Sequence, residues 1–514
     1  MRMDTGMKSA LPLLLLLAPL FAGAQDLKEF EKKVTEFTLP NGLHFIVVER
    51  REAPVVSFHT HVNAGSANDP SGATGIAHMF EHMAFKGTPE IGTRNWAEEK
   101  KALEAVEAAY HALEAERRKG PRADAEKVKA LEARLQLEIT KANAYVEPNE
   151  FPRIIEENGG AGLNASTGMD STNYYYSLPS NRIELWFLLE SQRFIQPVFR
   201  EFYKERDVVM EEYRMRIESD PQGKLFQAFL GTAFLAHPYR VMGTGWPADI
   251  MNLRVDDAHR FYRTWYVPSN ITIAIAGDVN PAEARKLAGK YFGPMPQGPA
   301  PPLLHTAEPP QSGPKEARVE SPSQPIVLVG YKRPDQYSPD DPVLDVIAGI
   351  LSSGRTGVLY RELVRDKRIA LAAQAGGAFP ASRYANLFVF LLAPSLGHTA
   401  EENEKALSDL LERFKKEPVD AEALARVKTK TRASLIRQLA GNAGLASLLA
   451  AYHADYGDWR RLFTQLDEID KVTAEDVHRV ARKYFVPETR TVAQTYQAKA
   501  QARPQAKAQA GGAQ

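Results

Sequence analysis

One stretch of this sequence occurs twice. Asp257 to Ala274 (DAHRFYRTWYVPSNITIA) returns 219 residues later as Asp476 to Ala493 (DVHRVARKYFVPETRTVA), with Asp, His, Arg, Arg, Val, Pro, Thr and Ala in register. Each copy reads as an amphipathic helix, an aromatic pair, a Val-Pro stop and a β-branched strand. A structural unit that recurs whole means that the chain builds one fold twice. At 514 residues it is also too long for a single core. Residues 294–325, between the copies, are dense in proline and without periodicity, and predict an extended linker. The expected architecture is α+β: two homologous α/β repeats, residues 25–293 and 326–497, each a sheet covered by helices and joined by the Pro-rich linker. The Ala/Gln/Lys stretch 498–514 predicts a disordered tail.

Residues 1–24 carry Arg2 and Lys8, an apolar run from Leu11 to Phe21, and Ala22-Gly23-Ala24, the pattern of a cleavable secretory signal. The run is short and interrupted by Pro12 and Pro19, and no later stretch reaches the ~20 apolar residues of a stable membrane span. The expectation is an exported protein, periplasmic or secreted. Charge is balanced at 64 Lys+Arg against 64 Asp+Glu, which leaves no basic footprint for nucleic acid. There is no cysteine, so any metal must be held by His, Asp or Glu.

The first half contains an insertion at residues 95–145. Leu103, Val106, Tyr110 and Leu113, then Val128, Leu131 and Leu135 beyond Gly120-Pro121, predict a helical hairpin. It is expected to pack on itself and decorate the surface, with a partner-docking arm as the alternative. His59 and His61 alternate along the strand Val55 to Val62, which predicts two polar residues on an exposed sheet face. His259 and His478 occupy equivalent repeat positions, which points to shared packing.

The chemistry concentrates in residues 75–88, GIAHMFEHMAFKGT. His78 and His82 are four apart, hence on one helical face, where two imidazoles can share a tetrahedral metal. Glu81, one turn from His78, can place its carboxylate beside the metal. Zinc needs a third protein ligand, and the segment Phe199 to Arg216 offers Glu205, Glu211 and Glu212. Glu205 and Glu212 are seven apart and share a face, so that one can bind while the other orients a ligand. No Gly-x-Ser-x-Gly elbow is present, which disfavours a serine hydrolase.

The order His-Met-Phe-Glu-His, with Glu fourth, resembles the inverted zinc motif of the pitrilysin-type metallopeptidases, the inverzincins, a group that includes insulysin and the mitochondrial processing peptidases. The resemblance extends to Phe85-Lys86-Gly87-Thr88, to the LNASTGMDSTNYYY run, and to the KERDVVMEE helix, and covers nearly the whole chain after the signal. It implies a zinc-dependent metalloendopeptidase acting on extended peptides. His78, His82 and Glu212 would be the zinc ligands, Glu81 the general base and Glu205 a supporting acid. Asn164, Ala165 and Ser166 would pair with the substrate backbone; read without the family, they are only part of a strand pair with a Gly turn. One zinc per chain is expected, since DVIAGILSSGRTG stands where a second motif would lie.

Two departures matter. His82 and Glu212 are 130 residues apart, a long interval that the 95–145 insertion explains. In relatives that act alone, a Leu-Arg and a following Tyr in the second half contact substrate, whereas here Val364 and Leu371 fall at the matching positions. Arg361, Arg365 and Arg368 are the nearby substitutes. The resemblance therefore implies a homo- or hetero-dimer with a second family subunit, and carries an alternative: a non-catalytic structural or peptide-binding subunit.

Overall fold

The computed structural model describes residues 27–497; the predicted signal 1–24 and the tail 498–514 lie outside the described residues. The first sheet contains β1 (Val34–Thr38), β2 (His44–Glu49), β3 (Val55–Val62), β4 (Ala161–Thr167), β5 (Thr172–Pro179) and β6 (Ile271–Gly277), in the order β1-β2-β6-β3-β5-β4. The second contains β7 (Lys315–Glu320), β8 (Val327–Arg333), β9 (Ala370–Phe379), β10 (Asn386–Pro394) and β11 (Arg490–Tyr496), in the order β7-β11-β8-β10-β9. Five strands of the first sheet recur position by position in the second, down to one parallel pair in each, β2 with β6 and β7 with β11. The repeated sequence unit supplies the interior strands β6 and β11 together with the helices before them, Val255–Trp265 and Ala474–Tyr484. Every residue of β6 is buried, as a strand covered on both faces requires. The protein thus has two homologous halves, each a mixed sheet covered by helices. No helix among the described residues is long and apolar enough to cross a membrane.

One face of the first sheet carries the main core with Phe45, Val47 and Phe58. Its other face, with Ile46, Val48, Ala274 and Ala276, is covered by the second half, through Leu445, Ala446, Leu449 and Ala450 of the helix Asn442–Tyr456 and the nearby Trp459. This packing corrects the reading of His59 and His61. They are buried, at 6% and 3% exposure, because the second half closes over the face that strand alternation alone leaves open to water.

Two further expectations differ from the structure. The proline-rich stretch 294–325 contains β7, whose alternating burial identifies a half-covered edge strand that its polar composition hides. The insertion forms two helices, Trp96–Arg117 and Ala125–Asn143, but its apolar stripe packs on the body of the protein as well as on itself. Tyr110 stacks on Tyr203 at 4.5 Å and 18°, and Glu107 accepts a hydrogen bond from the Tyr203 hydroxyl. His259 packs edge-on to Phe199, whereas His478 Nε2 donates to the Glu417 carbonyl at 2.7 Å near the surface, so the two equivalent histidines have different surroundings.

Candidate metal centre

The motif helix α1 (Ile76–Met83) buries Ile76, Ala77, Met79, Phe80 and Met83 against the core and turns His78, Glu81 and His82 to the site. It begins at Gly75, where φ is +91° and a Cβ would come within 2.7 Å of the Thr244 carbonyl oxygen, so glycine is required. The Asp69 carboxylate accepts the N–H groups of Gly75 and Ala77 at 2.7 and 3.0 Å and caps the helix. Phe80 packs on Tyr266 at 4.1 Å, which ties α1 to the repeated unit.

The helix α2 (Phe202–Tyr213) lies beside α1 and brings Glu205 and Glu212 to the histidines. His78 Nε2 and His82 Nε2 are 3.3 Å apart, and Glu212 places Oε1 3.6 Å from the first and Oε2 3.5 Å from the second. Tetrahedral zinc with bonds of about 2.0–2.2 Å needs ligand atoms about 3.3–3.6 Å apart. Two imidazole nitrogens and a carboxylate at this spacing fit zinc. Glu205 stands behind: its Oε1 accepts His82 Nδ1–H at 2.8 Å, and its Oε2 lies 2.6 Å from Lys86 Nζ. Glu211 points outward to Arg214 at 3.0 Å.

Burial holds His78 down to about 4, which keeps its imidazole neutral. Burial also opposes charge on His82, but Glu205 and Glu212 outweigh it and push it up to about 9. Burial would raise Glu205, yet hydrogen bonds from His82 and Lys86 bring it down to about 2. Contact with His82 lowers Glu212 against the effect of burial. Glu81 goes the other way: burial raises its carboxyl, and the Thr167 hydroxyl, which donates to Oε2 at 2.5 Å, works against that shift. A carboxylate displaced upward and held by one hydrogen bond beside two imidazoles is suited to moving a proton.

Thr167 lies at the end of β4, an edge strand of its sheet. Asn164 and Ser166 are exposed there and Ala165 is buried, while the strand pairs with β5 on its inner side. Sequence reasoning missed three partners of the site. Thr167 is detectable only by counting alternation along β4, Lys86 by its place one turn beyond His82, and Arg216, 2.7 Å from Glu212 Oε1, by its i+4 spacing. In the second half, Val364 is half-buried in the π-helical turn Tyr360–Asp366, and Leu371 projects from β9 at 63% exposure. Arg361 is half-buried and Arg368 exposed, while Arg365 is exposed and pairs with Asp366 at 2.7 Å.

Comparison with known proteins follows the same division. The description "Insulinase (Peptidase family M16)" matches residues 45–115 and 136–241, which contain the whole histidine–glutamate cluster, and "Peptidase M16 inactive domain" matches residues 252–431. The chain belongs to the M16, pitrilysin-type, peptidase family. The gap between the two matched parts of the first half, 116–135, falls inside the helical insertion. An M16 relative, the zinc protease PqqE of Helicobacter pylori, is 28% identical over 460 residues, covering 87% of this chain and 89% of the relative. The probable mitochondrial-processing peptidase subunit beta of Arabidopsis thaliana is 23% identical, over 88% of this chain and 76% of its own. The crystal structure of a protease from Helicobacter pylori superposes with a TM-score of 0.75 at 26% identity, covering 90% of this chain and 99% of that one. Relatives named as zinc proteases support a peptidase-type function and zinc use in the family.

Proposed function

We propose that this chain is a zinc-dependent metalloendopeptidase that hydrolyses peptide bonds in extended peptides or unfolded segments. The observation that carries the reading is the triangle of His78, His82 and Glu212 at tetrahedral spacing with Glu81 beside it. Zinc held by those three residues would supply Lewis acidity, the chemistry that makes water a nucleophile near neutral pH and stabilises negative charge on a carbonyl oxygen. Glu81 takes the proton from the attacking water and passes it to the leaving amine. Glu205 holds the His82 ring in orientation through Nδ1, and Lys86 holds Glu205. The edge of β4 at Asn164, Ala165 and Ser166 offers main-chain groups to an extended substrate, a grip with little sequence preference.

In this reading the first 24 residues are removed on export and the peptidase works in the periplasm or outside the cell. Residues 25–293 form the zinc-bearing domain, and a second family subunit in a dimer compensates for Val364 and Leu371. One observation favours a second reading, a non-catalytic scaffold: Leu371 is an exposed apolar residue where acting relatives present a polar substrate contact. The deciding experiment is cleavage of an unstructured peptide library by the purified chain, with zinc content measured in parallel. Glu81→Gln should keep one zinc at the motif and lose activity by about 100-fold or more, whereas His78→Ala or His82→Ala should lose both. Near-normal turnover in Glu81→Gln with zinc in place would overturn the assignment. Zinc without cleavage in the parent favours the scaffold or a missing subunit.

A further inference from the structure

The turn 168–171, between β4 and β5, is where the half without the motif reaches the β4 edge of the half that carries it. In the second sheet β9 and β10 hold the places of β4 and β5, so their turn, 380–385, is its counterpart. The two counterpart turns meet. Arg383 donates its main-chain N–H to Asp170 Oδ2 at 3.2 Å and its Nη1–H to the Asp170 carbonyl at 3.0 Å, while Nη2–H donates to Asp455 Oδ1, on the helix Asn442–Tyr456, at 2.7 Å. A guanidinium fork is the side chain that can span two such acceptors at once. Tyr239, fully buried, adds its hydroxyl to Asp170 Oδ1 at 2.7 Å and accepts the Tyr384 N–H at 3.4 Å. Beside Asp170, Met169 is buried in an apolar cluster that includes Leu328 and Leu387 of the second sheet.

The other side of the turn leads into the site. Ser66 and Ala67 donate their N–H groups to the carbonyls of Gly168 and Met169 at 3.0 and 2.9 Å, an approach so close that a Cβ at Gly65 would come within 2.4 Å of the Gly168 oxygen. Two residues after Ala67 comes Asp69, the cap of α1. Thr167, the residue before the turn, donates to Glu81 Oε2 at 2.5 Å. The turn is thus held between the second half and the two segments that aim Glu81, the cap of its helix and its hydrogen-bond partner. Not every ion pair between the halves does this. Arg460 of the second half binds Glu31 and Glu36 of the first at 2.5 and 3.1 Å, far from the turn in the fold and without contact to it.

We infer that Arg383 is a positioning residue of the active site: by fixing Asp170 it holds the β4–β5 turn, and with it the edge at Asn164 and Ser166 and the hydrogen bond from Thr167 to Glu81. The inference rests on the peptidase reading of the site. On it, the half without the motif is the abutment against which the edge strand and the base are set. A reacting group held this way is sensitive to its support, since a misplacement of about 1 Å costs on the order of 100-fold in rate.

The test uses the full zinc-loaded chain and an unstructured peptide substrate. Arg383→Gln should lower kcat by about tenfold or more with zinc content unchanged. In a Thr167→Val background, where the hydrogen bond to Glu81 is already gone, the same substitution should lower kcat by less than about threefold, because the two residues act along one route. Equal losses in both backgrounds overturn the inference. Arg460→Gln cuts the other ion pair between the halves and should leave kcat close to the parent's; a loss there equal to that of Arg383→Gln would assign the effect to closure as a whole and overturn it too. Should Arg383→Gln fold poorly, Arg383→Lys keeps the charge without the fork, and should give a smaller loss with the same dependence on Thr167. Hydrogen exchange needs no turnover: amides of residues 161–179 should exchange about tenfold faster in Arg383→Gln than in Arg460→Gln. If the parent cleaves nothing, the peptidase reading falls and this comparison alone decides the placement of the turn, with equal rates overturning it.

Discussion

At His82 the protein prepares an imidazole for a metal while two carboxylates favour its protonation. Its pKa, pushed up to about 9 by Glu205 and Glu212, means that zinc must displace a proton at neutral pH. Calorimetric titration with zinc at pH 7.5 in buffers of different ionisation enthalpy should report release of about one proton per motif site. Heats independent of the buffer would contradict the His82 assignment. Because the folded value lies above the ordinary 6.5, the ion pairs of His82 stabilise the metal-free fold fully below pH 6.5 and lose that effect as pH rises through about 9. Glu205 is lowered from 4.5 to about 2, so its contribution is present above 4.5 and lost as pH falls through about 2. Thr167→Val removes the hydrogen bond that restrains Glu81. The acidic limb of kcat/KM should then move to higher pH, with about tenfold loss near neutrality and zinc content unchanged. An unshifted limb would show that Thr167 does not tune the base. The spacing of His78, Glu81 and His82 was legible because one helix turn sets it; Thr167 was not, because β4 reaches Glu81 only through tertiary packing.

Among the elements, the turn after α1 depends on Arg200. Its guanidinium binds Glu99 at 2.7 and 3.2 Å and also donates to the carbonyls of Lys86, Thr88 and Ile91, all within the interior. The pair therefore joins the first helix of the insertion, the 86–91 turn and the entry to α2, the three segments around the zinc ligands. Removing one partner leaves the other charge buried, so Glu99→Ala should cost about 3–5 kcal/mol in urea unfolding, with weaker zinc binding as a consequence. A loss of less than ~1 kcal/mol would show that water replaces the missing partner. The stripe of Val106, Tyr110 and Leu113 revealed the helix of the insertion but not its neighbour, since apolar spacing is the same whichever surface covers it. For β7, alternation was present in the sequence, but the surrounding prolines masked it.

For the whole molecule, the decisive contact is the closure of the second half on the first sheet. Trp459, fully buried, packs with Phe30 at 5.6 Å in the cluster that joins the halves. Trp459→Ala should cost about 3–5 kcal/mol and loosen the closure, visible as a lower urea midpoint and a larger radius in solution scattering. An unchanged midpoint would mean that the halves hold together without this anchor. The same closure buries His59 and His61 and presses His453 onto His44, so one packing event changes the environment of four histidines.

The two-fold repeat, the mixed α/β class and the inverted motif were all legible along the chain alone. Each is a local regularity, a recurring unit or a spacing along one helix, that survives without knowledge of what lies opposite. Packing set which of Glu205, Glu211 and Glu212 faces the histidines, the covering of the first sheet's outer face by the second half, and where the insertion docks. Those outcomes depend on contacts between residues far apart in the chain, such as His82 with Glu205 or Tyr110 with Tyr203. Chain periodicity carries no record of such pairs, because one polar or apolar stripe satisfies any surface of matching chemistry.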